Sequence, residues 1–261
     1  MPTILDEIAA HTRIRVAKAK EERPAEALME EVLALPRGSF VFEETLKKPG
    51  LSFICECKKA SPSKGVIAED FPYLDIARDY AAAGADAISV LTEPEWFLGR
   101  NAYAEEIAKA VPVPVLRKDF TVDPYMICEA KLLGASAVLL IVAILSAEEL
   151  REDLNLCGRL GLSALVECHD EREIDEALNA GARIVGVNNR NLRDFSVDTS
   201  LSDRLGALIP DGIVLVSESG VKGAEDIARL KNTRADAVLV GEALMRATDR
   251  QKTLRAWKAL S

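Results

Sequence analysis

From Leu51 onward, short apolar runs alternate with longer segments in which apolar residues recur at helical spacing. The runs are four to six residues long and rich in Val, Ile and Leu, as expected of strands buried on both faces. They predict eight strands: Phe53–Lys58, Ala87–Leu91, Val115–Lys118, Ala137–Ile141, Ser163–Glu167, Ile184–Asn188, Ile213–Ser217 and Ala237–Val240. Because one helix-sized segment separates each strand from the next, the pattern indicates eight βα units and a parallel sheet.

An internal repeat marks every second predicted strand. Gly84-Ala-Asp-Ala87, Gly134-Ala-Ser-Ala137, Gly181-Ala-Arg-Ile184 and Arg234-Ala-Asp-Ala237 each end a helical segment and lead into a strand. They lie about fifty residues apart, which is the length of two βα units. Eight units favour a closed (βα)8 TIM barrel of the α/β class. An open doubly wound sheet is the weaker alternative, because no G-x-G-x-x-G follows the first strand.

Residues 1–50 have a different pattern, with helical spacing and many charges. Ile4, Ile8 and Ala9 predict a first helix, and a second is expected from Ala25 to Leu35. These helices carry too little apolar area for a core of their own. We therefore expect a single domain over residues 1–261, with a helical extension at 1–50 and the barrel at 51–261.

Composition and charge narrow the class of protein. The formal net charge is −9 and there is no long Lys/Arg run, so we expect no binding of nucleic acid. The longest apolar run, Ala135–Leu145, is too short to cross a bilayer, and no membrane association is predicted. No hydrophobic surface stripe is obvious, which favours a monomer.

The five cysteines are scattered and form no C-x-x-C, which is typical of reduced thiols. The first residues also lack the regions of a signal peptide, so we expect a cytoplasmic protein. The nearest approach to a metal cluster is Cys168-His169 with Cys55 and Cys57. Core cysteines on outward strand faces are favoured over zinc ligands, which come in short paired spacings. No metal site is predicted.

Charged residues stand at the ends of several predicted strands, where barrels of this type place their sites. Glu56 and Lys58 share one face of the first strand, and the same alternation turns Lys118 and Glu167 inward. Buried charges of this kind must be paired or in use. We expect Lys58 and Lys118, as neighbours, to lower each other's pKa, and a glutamate of the pocket to have its pKa raised.

Histidine is almost absent from the chain. His11 lies on the helical extension, and His169 is assigned to the strand face opposite Glu167. A Ser-His-Asp or Cys-His nucleophile system therefore has little support. Proton transfer is expected to fall to Lys and Glu.

The ends of the last two strands have features of a phosphate site. Gly220 and Gly241 would let backbone N–H groups approach an anion, and a short helix is expected to begin near Glu242. Ser61 and Ser219 could add hydroxyl donors. A phosphorylated small molecule is therefore the expected ligand.

Several blocks of sequence together resemble the indole-3-glycerol phosphate synthase family, over about Ile4 to Leu260. The blocks are Glu56-Cys-Lys-Lys-Ala-Ser-Pro-Ser-Lys-Gly65, Ser89-Val-Leu-Thr-Glu-Pro94, Leu116-Arg-Lys-Asp-Phe120, Asn188-Asn-Arg-Asn-Leu192, Ser217-Glu-Ser-Gly220 and Val240-Gly-Glu-Ala-Leu-Met-Arg246. The resemblance implies a cofactor-free lyase of tryptophan biosynthesis. Its substrate, 1-(2-carboxyphenylamino)-1-deoxyribulose 5-phosphate, closes a ring with loss of CO₂ and water.

The resemblance also implies roles for individual residues. Lys118 matches the general acid, and Lys58 matches a second lysine that holds the substrate. Glu167 matches the carboxylate that stabilises positive charge and serves the dehydration. Glu56 matches a carboxylate that supports the two lysines. The residues implied in lining or binding are Asn188, Arg190 and Ser61 as polar contacts, Phe97, Phe120 and Leu139 as an apolar wall, and Ser219, Gly220, Gly241 and Glu242 as the phosphate cradle.

Two other functions fit a barrel of this kind. A sugar-phosphate isomerase such as phosphoribosylanthranilate isomerase should carry a Cys/Asp pair at the ends of the first and fifth strands. Those ends carry Glu56, Lys58 and Glu167 instead. A non-catalytic barrel that binds a phosphorylated ligand should have lost an inward charge, and none is missing.

Overall fold

The computed structural model describes residues 3–261, so residues 1 and 2, where the predicted extension begins, lie outside the described residues. The described chain starts with α1 (Ile4–Glu22), α2 (Ala25–Ala34) and α3 (Val41–Leu46). Thr3 and Asp6 form a capping box at the start of α1. The third helix was not predicted, because six residues are too few for a helical period to stand out.

Eight parallel strands form a closed barrel, which confirms the predicted fold class. The strands are β1 (Ser52–Cys57), β4 (Ala87–Leu91), β5 (Val115–Lys118), β6 (Ala137–Ile141), β7 (Ser163–Cys168), β8 (Ile184–Asn188), β9 (Val214–Glu218) and β10 (Ala237–Val240). Each pairs with its neighbours in chain order, and β1 closes the ring by pairing with both β4 and β10. The predicted bounds are met to within one residue. A small antiparallel hairpin of β2 (Ala60–Ser61) and β3 (Gly65–Val66) extends the loop after β1.

Helices connect the strands and cover the barrel. They are α4 (Tyr73–Ala82), α5 (Asn101–Ala110), α6 (Pro124–Leu132), α7 (Ala147–Leu160), α8 (Glu171–Ala180), α9 (Leu201–Gly206), α10 (Ala224–Leu230), α11 (Glu242–Met245) and α12 (Arg250–Lys258), with a 3₁₀ turn at Val142–Ile144. The repeated glycines Gly84, Gly134 and Gly181 have φ angles of 93°, 80° and 94°. The repeat therefore marks helix ends that need left-handed backbone.

The alternation of strand residues separates two apolar layers. Ile54, Leu116 and Leu165 point into the barrel, where they pack with Phe42 and Leu46 of α3. The opposite strand faces pack against the helices. Cys55 and Cys57 of β1 and Cys168 of β7 lie on these outer faces. All five cysteines are free and buried, as expected of core residues.

The two ends of the barrel are covered by different parts of the extension. At the amino ends of the strands, the backbone N–H of Glu43 in α3 donates to Ser163 Oγ, and Arg183 Nε donates to the Glu43 carboxylate. At the carboxyl ends, Arg15 of α1 binds Asp119 at 2.7 Å. Within residues 3–261, no helix has the length and apolar character needed to cross a membrane.

Candidate active site

The carboxyl ends of the strands surround a cavity of about 480 Å³. Every residue that the sequence nominated lies on its wall: Glu56, Lys58, Ser61, Phe97, Lys118, Phe120, Leu139, Glu167, Asn188, Arg190, Ser219, Gly220, Gly241 and Glu242. Strand parity brings them together, because inward side chains at the carboxyl ends of parallel strands converge on one point. Their individual roles remain predictions.

Lys118 lies at the centre of the charged part of the cavity. Its Nζ is 3.4 Å from Glu167 Oε2 and 3.5 Å from Glu218 Oε2. Burial disfavours the charged amine, but Glu167, Glu218 and Glu56 outweigh this and raise the pKa of Lys118. The expectation that neighbouring lysines would lower this pKa is therefore wrong, since carboxylates and not Lys58 dominate the surroundings of Lys118.

Glu167 and Glu218 face the same lysine but differ in their other partners. Glu167 Oε1 accepts a hydrogen bond from Asn188 Nδ2 at 3.1 Å and lies 3.3 Å from His169 Nε2. Against its burial, Lys118, His169 and Asn188 hold the pKa of Glu167 well below its usual range. Glu218 Oε1 is buried without a hydrogen-bond partner. Burial, together with the charges of Glu167 and Glu56 and against that of Lys118, raises the pKa of Glu218.

A second lysine–carboxylate pair lies across the cavity on β1. Lys58 Nζ donates to Glu56 Oε1 at 2.5 Å, and Ser89 Oγ donates to Glu56 Oε2 at 3.4 Å. A Cβ atom on Gly241 would come within 2.5 Å of Glu56 Oε1 and 3.1 Å of Lys58 Nζ. Gly241 is thus needed to leave space for this pair, whatever it contributes to anion binding.

An apolar wall stands beside the charged groups. The rings of Phe97 and Phe120 lie 5.8 Å apart at a tilt, with Leu139 on the same cavity. The loop that carries Phe97 is shaped by the fully buried Glu93, whose carboxylate accepts hydrogen bonds from the backbone N–H groups of Glu95, Trp96 and Phe97. Sequence reasoning missed this use of Glu93.

The far side of the cavity is lined by main chain. Ser219 and Gly220 have φ angles of 65° and 101°, which turns the backbone sharply after β9. Gly241 and Glu242 directly follow β10, the strand that pairs with β9. The Glu242 carboxylate lies 3.7 Å from Lys64 Nζ in the hairpin after β1. Main chain therefore lines this side of the cavity, where backbone N–H groups can approach an anion.

Helix α1 completes the cavity, which sequence reasoning did not foresee in detail. Ile4, Leu5 and Ile8 supply apolar wall over the strand ends. The Arg15–Asp119 pair holds the helix there, and Asp119 directly follows Lys118. No signal in the sequence alone connects Arg15 with Asp119.

Two charged residues of the site were missed or misplaced. Glu218 was part of the block Ser217-Glu-Ser-Gly220 but was given no role, although Val214, Val216 and Glu218 share the inward face. The assignment of His169 to the face opposite Glu167 is wrong. Residues two apart along a strand share a face, and its ring contacts Glu167. Among residues 3–261, no cluster of His, Cys, Asp and Glu is arranged to hold a metal ion.

Comparison with known proteins points to one family. The family model described as "Indole-3-glycerol phosphate synthase" matches residues 5–257. A protein of that name from Ruminiclostridium cellulolyticum is 56% identical over 247 residues, which cover 94% of this chain and 95% of the relative. Another of that name, from Lacticaseibacillus paracasei, is 50% identical over 256 residues, which cover 98% of each chain.

Solved structures agree with the fold. Thiamine phosphate pyrophosphorylase from Pyrococcus furiosus matches with a TM-score of 0.62 at 15% identity, over 84% of this chain and 96% of that one. KGPDC from Streptococcus mutans matches with a TM-score of 0.63 at 12% identity, over 81% and 97% respectively. At such low identity the likeness extends to the barrel alone.

Proposed function

The chain belongs to the indole-3-glycerol phosphate synthase family, and from this premise we propose how its cavity carries out the family's reaction. The protein is a carboxy-lyase of tryptophan biosynthesis that acts on a phosphorylated small molecule. Its substrate is 1-(2-carboxyphenylamino)-1-deoxyribulose 5-phosphate and its product indole-3-glycerol phosphate. The assignment of each step to a side chain is our proposal.

Ring closure begins when the carboxylate-bearing carbon of the aromatic ring attacks the ketone carbon. The ketone oxygen gains negative charge and needs a proton, which Lys118 donates. The raised pKa of Lys118 keeps this amine charged at neutral pH, so the proton is present before the substrate arrives. The C–C bond to the carboxylate then breaks, CO₂ leaves, and the bonding electrons restore the aromatic ring.

Loss of water completes the indole. The hydroxyl on the former ketone carbon leaves with a proton while the neighbouring carbon gives up another, so that a double bond forms. Glu167, held ionised by its three partners, is suited to stabilise positive charge on the substrate nitrogen and to accept that proton. Glu218, whose pKa is raised, is suited to protonate the leaving hydroxyl.

Lys58 and Glu56 are proposed to hold the substrate from the opposite wall. Their direct pairing keeps the Lys58 amine in one place, which favours a fixed substrate geometry. Ser61 and Arg190 are proposed to bind the substrate carboxylate, with Asn188 as a polar contact.

The remaining walls are proposed to bind the two ends of the substrate. Phe97, Phe120 and Leu139 would pack on the aromatic ring. Ser219, Gly220, Gly241 and the backbone N–H of Glu242 would bind the phosphate.

The contact of Lys118 with two carboxylates of unlike pKa is the observation that carries this proposal. The test compares the purified protein with a Lys118→Met variant by following indole absorbance after addition of the substrate. We expect turnover by the parent and a loss of about 10²–10⁴-fold in kcat for the variant, with KM little changed. Near-parental turnover of Lys118→Met would show that the acid has been wrongly assigned.

An isomerase is not supported by the cavity. The ends of β1 and β7 carry Glu56, Lys58 and Glu167 instead of a Cys/Asp pair, and the cysteines of these strands, Cys55, Cys57 and Cys168, pack outward. If the protein converted a sugar phosphate without any change in indole absorbance, this second function would replace the first.

We further propose a monomeric, single-domain, cytoplasmic protein that binds neither nucleic acid nor membranes. Large exposed apolar side chains such as Ile14, Leu33, Val66 and Leu208 lie on separate elements, which favours a monomer. Light scattering coupled to size-exclusion chromatography tests this, and a mass near twice 28.4 kDa would contradict it.

A further inference from the structure

His169 lies directly behind Glu167, outside the set of residues used in the proposed steps. Its Nε2 is 3.3 Å from Glu167 Oε1, and its Nδ1 is 3.1 Å from Glu173 Oε2. The same Glu173 oxygen accepts the backbone N–H of His169 at 2.8 Å, so the ring is held where β7 meets α8. The side chain is 18% exposed, towards a second polar cavity.

The two contacts constrain the protonation of the ring. In either neutral tautomer, one nitrogen carries a lone pair, which would face a carboxylate oxygen at about 3 Å. Only the doubly protonated imidazolium presents a donor to both Glu167 and Glu173. Burial opposes this charge, but the two carboxylates outweigh it and raise the pKa of His169 to about 10.

Other charges around the ring nearly cancel. On the side of the second cavity they are three acidic and three basic groups: Asp6, Asp170, Asp198, Arg172, Arg190 and Arg193. On the active-site side, Lys118 and Glu218 lie beyond Glu167 and also oppose each other. The charge state of His169 is therefore decided by the two glutamates in contact with it.

The contact between His169 and Glu167 also distinguishes the two carboxyl groups that face Lys118. Glu167 accepts a hydrogen bond from Asn188 at Oε1 and one from Lys118 at Oε2, and His169 Nε2 lies within ion-pair distance of Oε1, whereas Glu218 has Lys118 alone and a buried Oε1 without a hydrogen-bond partner. We propose that His169 is a positioning residue that, held by Glu173, keeps Glu167 ionised and oriented, so that Glu218 is the carboxyl group of the two that takes up a proton. This inference deepens the proposed function, and its kinetic consequence rests on it.

A direct test of the charge on His169 needs no substrate. The chain has two histidines, so ¹⁵N-labelled imidazole signals can be assigned by comparing the protein with a His11→Gln variant. We expect both nitrogens of His169 to remain protonated from pH 6 to pH 8.5. A ring that titrates near the ordinary value of about 6.5 would overturn the proposal even if the enzyme is fully active.

The kinetic test uses His169→Asn, which keeps a polar side chain but removes the positive charge. Because Glu167 then loses a cation, its pKa should rise, and the acidic limb of the kcat profile should move to higher pH by about one unit. At neutral pH Glu167 should stay ionised beside Lys118, so kcat there should fall less than tenfold, through loss of orientation alone, with KM little changed.

Arg172→Gln is the matched control for the kinetic test. Arg172 is 65% exposed and reaches Glu173 from the solvent side, at 3.8 Å. Its removal should leave the acidic limb and kcat in place. An acidic limb that stays unmoved in His169→Asn would contradict the positioning role. If His169→Asn does not fold, the imidazole signals of the parent protein still decide the proposal. Absence of lyase activity in the parent would refute the proposed function instead, and leave the charge on His169 to be judged by those signals.

Discussion

Both ends of the barrel contain buried glutamates, but the two ends balance their charges differently. At the amino ends, Glu43 meets Lys47 and Arg183, each at 2.7 Å, so one carboxylate has two cations. At the carboxyl ends, four buried carboxylates, Glu56, Glu167, Glu173 and Glu218, share Lys58, Lys118 and His169. The first cluster has an excess of cations and the second an excess of carboxylates.

The difference shows how one fold separates stability from chemistry. Burial opposes ionisation of Glu43, but its two cations lower its pKa, so it stays charged and forms ion pairs with both. In the other cluster Glu218 has one oxygen without a hydrogen-bond donor, and burial raises the pKa of this carboxyl. A proton that is held near neutral pH among opposed charges is available for transfer. The same residue type thus stabilises one end and, in the proposed mechanism, transfers protons at the other.

The isosteric change Glu167→Gln should have the largest effect on activity. It removes the carboxylate that is proposed to stabilise positive charge on the substrate nitrogen, and we expect kcat to fall by about 10²–10⁴-fold. The free energy of unfolding should change less than in Glu43→Gln, because Glu218 still compensates Lys118. Steady-state kinetics and urea unfolding measure the two quantities. Retained turnover would remove Glu167 from the reaction.

The same substitution at the other end, Glu43→Gln, should affect stability and leave kcat unchanged. Loss of two charge-assisted hydrogen bonds is expected to lower the free energy of unfolding by about 1.5–3 kcal/mol. Because folding lowers the pKa of Glu43, its contribution is present above the unfolded value of about 4.3 and is lost as the pH falls below it. The two proteins should therefore converge in urea unfolding at low pH. A fall in kcat with unchanged stability would break the comparison.

Much of this arrangement was predictable from the sequence, because the barrel is periodic. Eight apolar runs and a repeated glycine step predicted the strands, and the period of two along each strand turned Glu56, Lys58, Lys118 and Glu167 inward. These inferences need only local geometry. Local geometry was also enough to place the cysteines in the outer layer.

What the sequence did not reveal depends on distant contacts or on strand ends. Glu218, at the end of a strand predicted one residue short, was given no role, and His169 was placed on the wrong face. The pKa of Lys118 was predicted in the wrong direction, since its sign depends on which charges surround the amine in three dimensions. Glu43 of α3 contacts Ser163, and Arg15 of α1 contacts Asp119. In both cases the partners are more than a hundred positions apart in the chain, so no local pattern indicates the contact.

Gly241→Ala is expected to weaken activity by disturbing the Lys58–Glu56 pair. The new Cβ would come within 2.5 Å of Glu56 Oε1, and the ends of both side chains can move aside, so the fold should persist. A displacement of this size is expected to lower kcat about tenfold. Gly158→Ala is the matched control, because a Cβ there meets nothing within 4 Å in helix α7. Equal kcat values for the two variants would show that the pair needs no fixed position.

A substitution of Asp153 is expected to have the smallest effect on activity. It tests whether a buried acid without a matching cation is enough to make a functional site. This carboxyl on α7 is 2% exposed, and burial, then Asp123, Glu149 and Glu152, raise its pKa to about 7. Like Glu218 it is a buried acid without enough cations, yet it lies outside the active site. Because folding raises this pKa, the stability it contributes below the unfolded value of about 3.9 is lost as the pH rises towards 7.

Asp153→Asn should therefore raise the free energy of unfolding above pH 7 and leave it almost unchanged at pH 4, with kcat unchanged. Urea unfolding at both pH values measures this, with the exposed Asp75→Asn as a control that should show no such dependence. A buried acid without a matching cation does not by itself make a site: Glu218 lines the cavity and contacts a lysine, whereas Asp153 lies on α7 and does not line that cavity. A loss of activity in Asp153→Asn would mean that the distinction between the two buried acids does not hold.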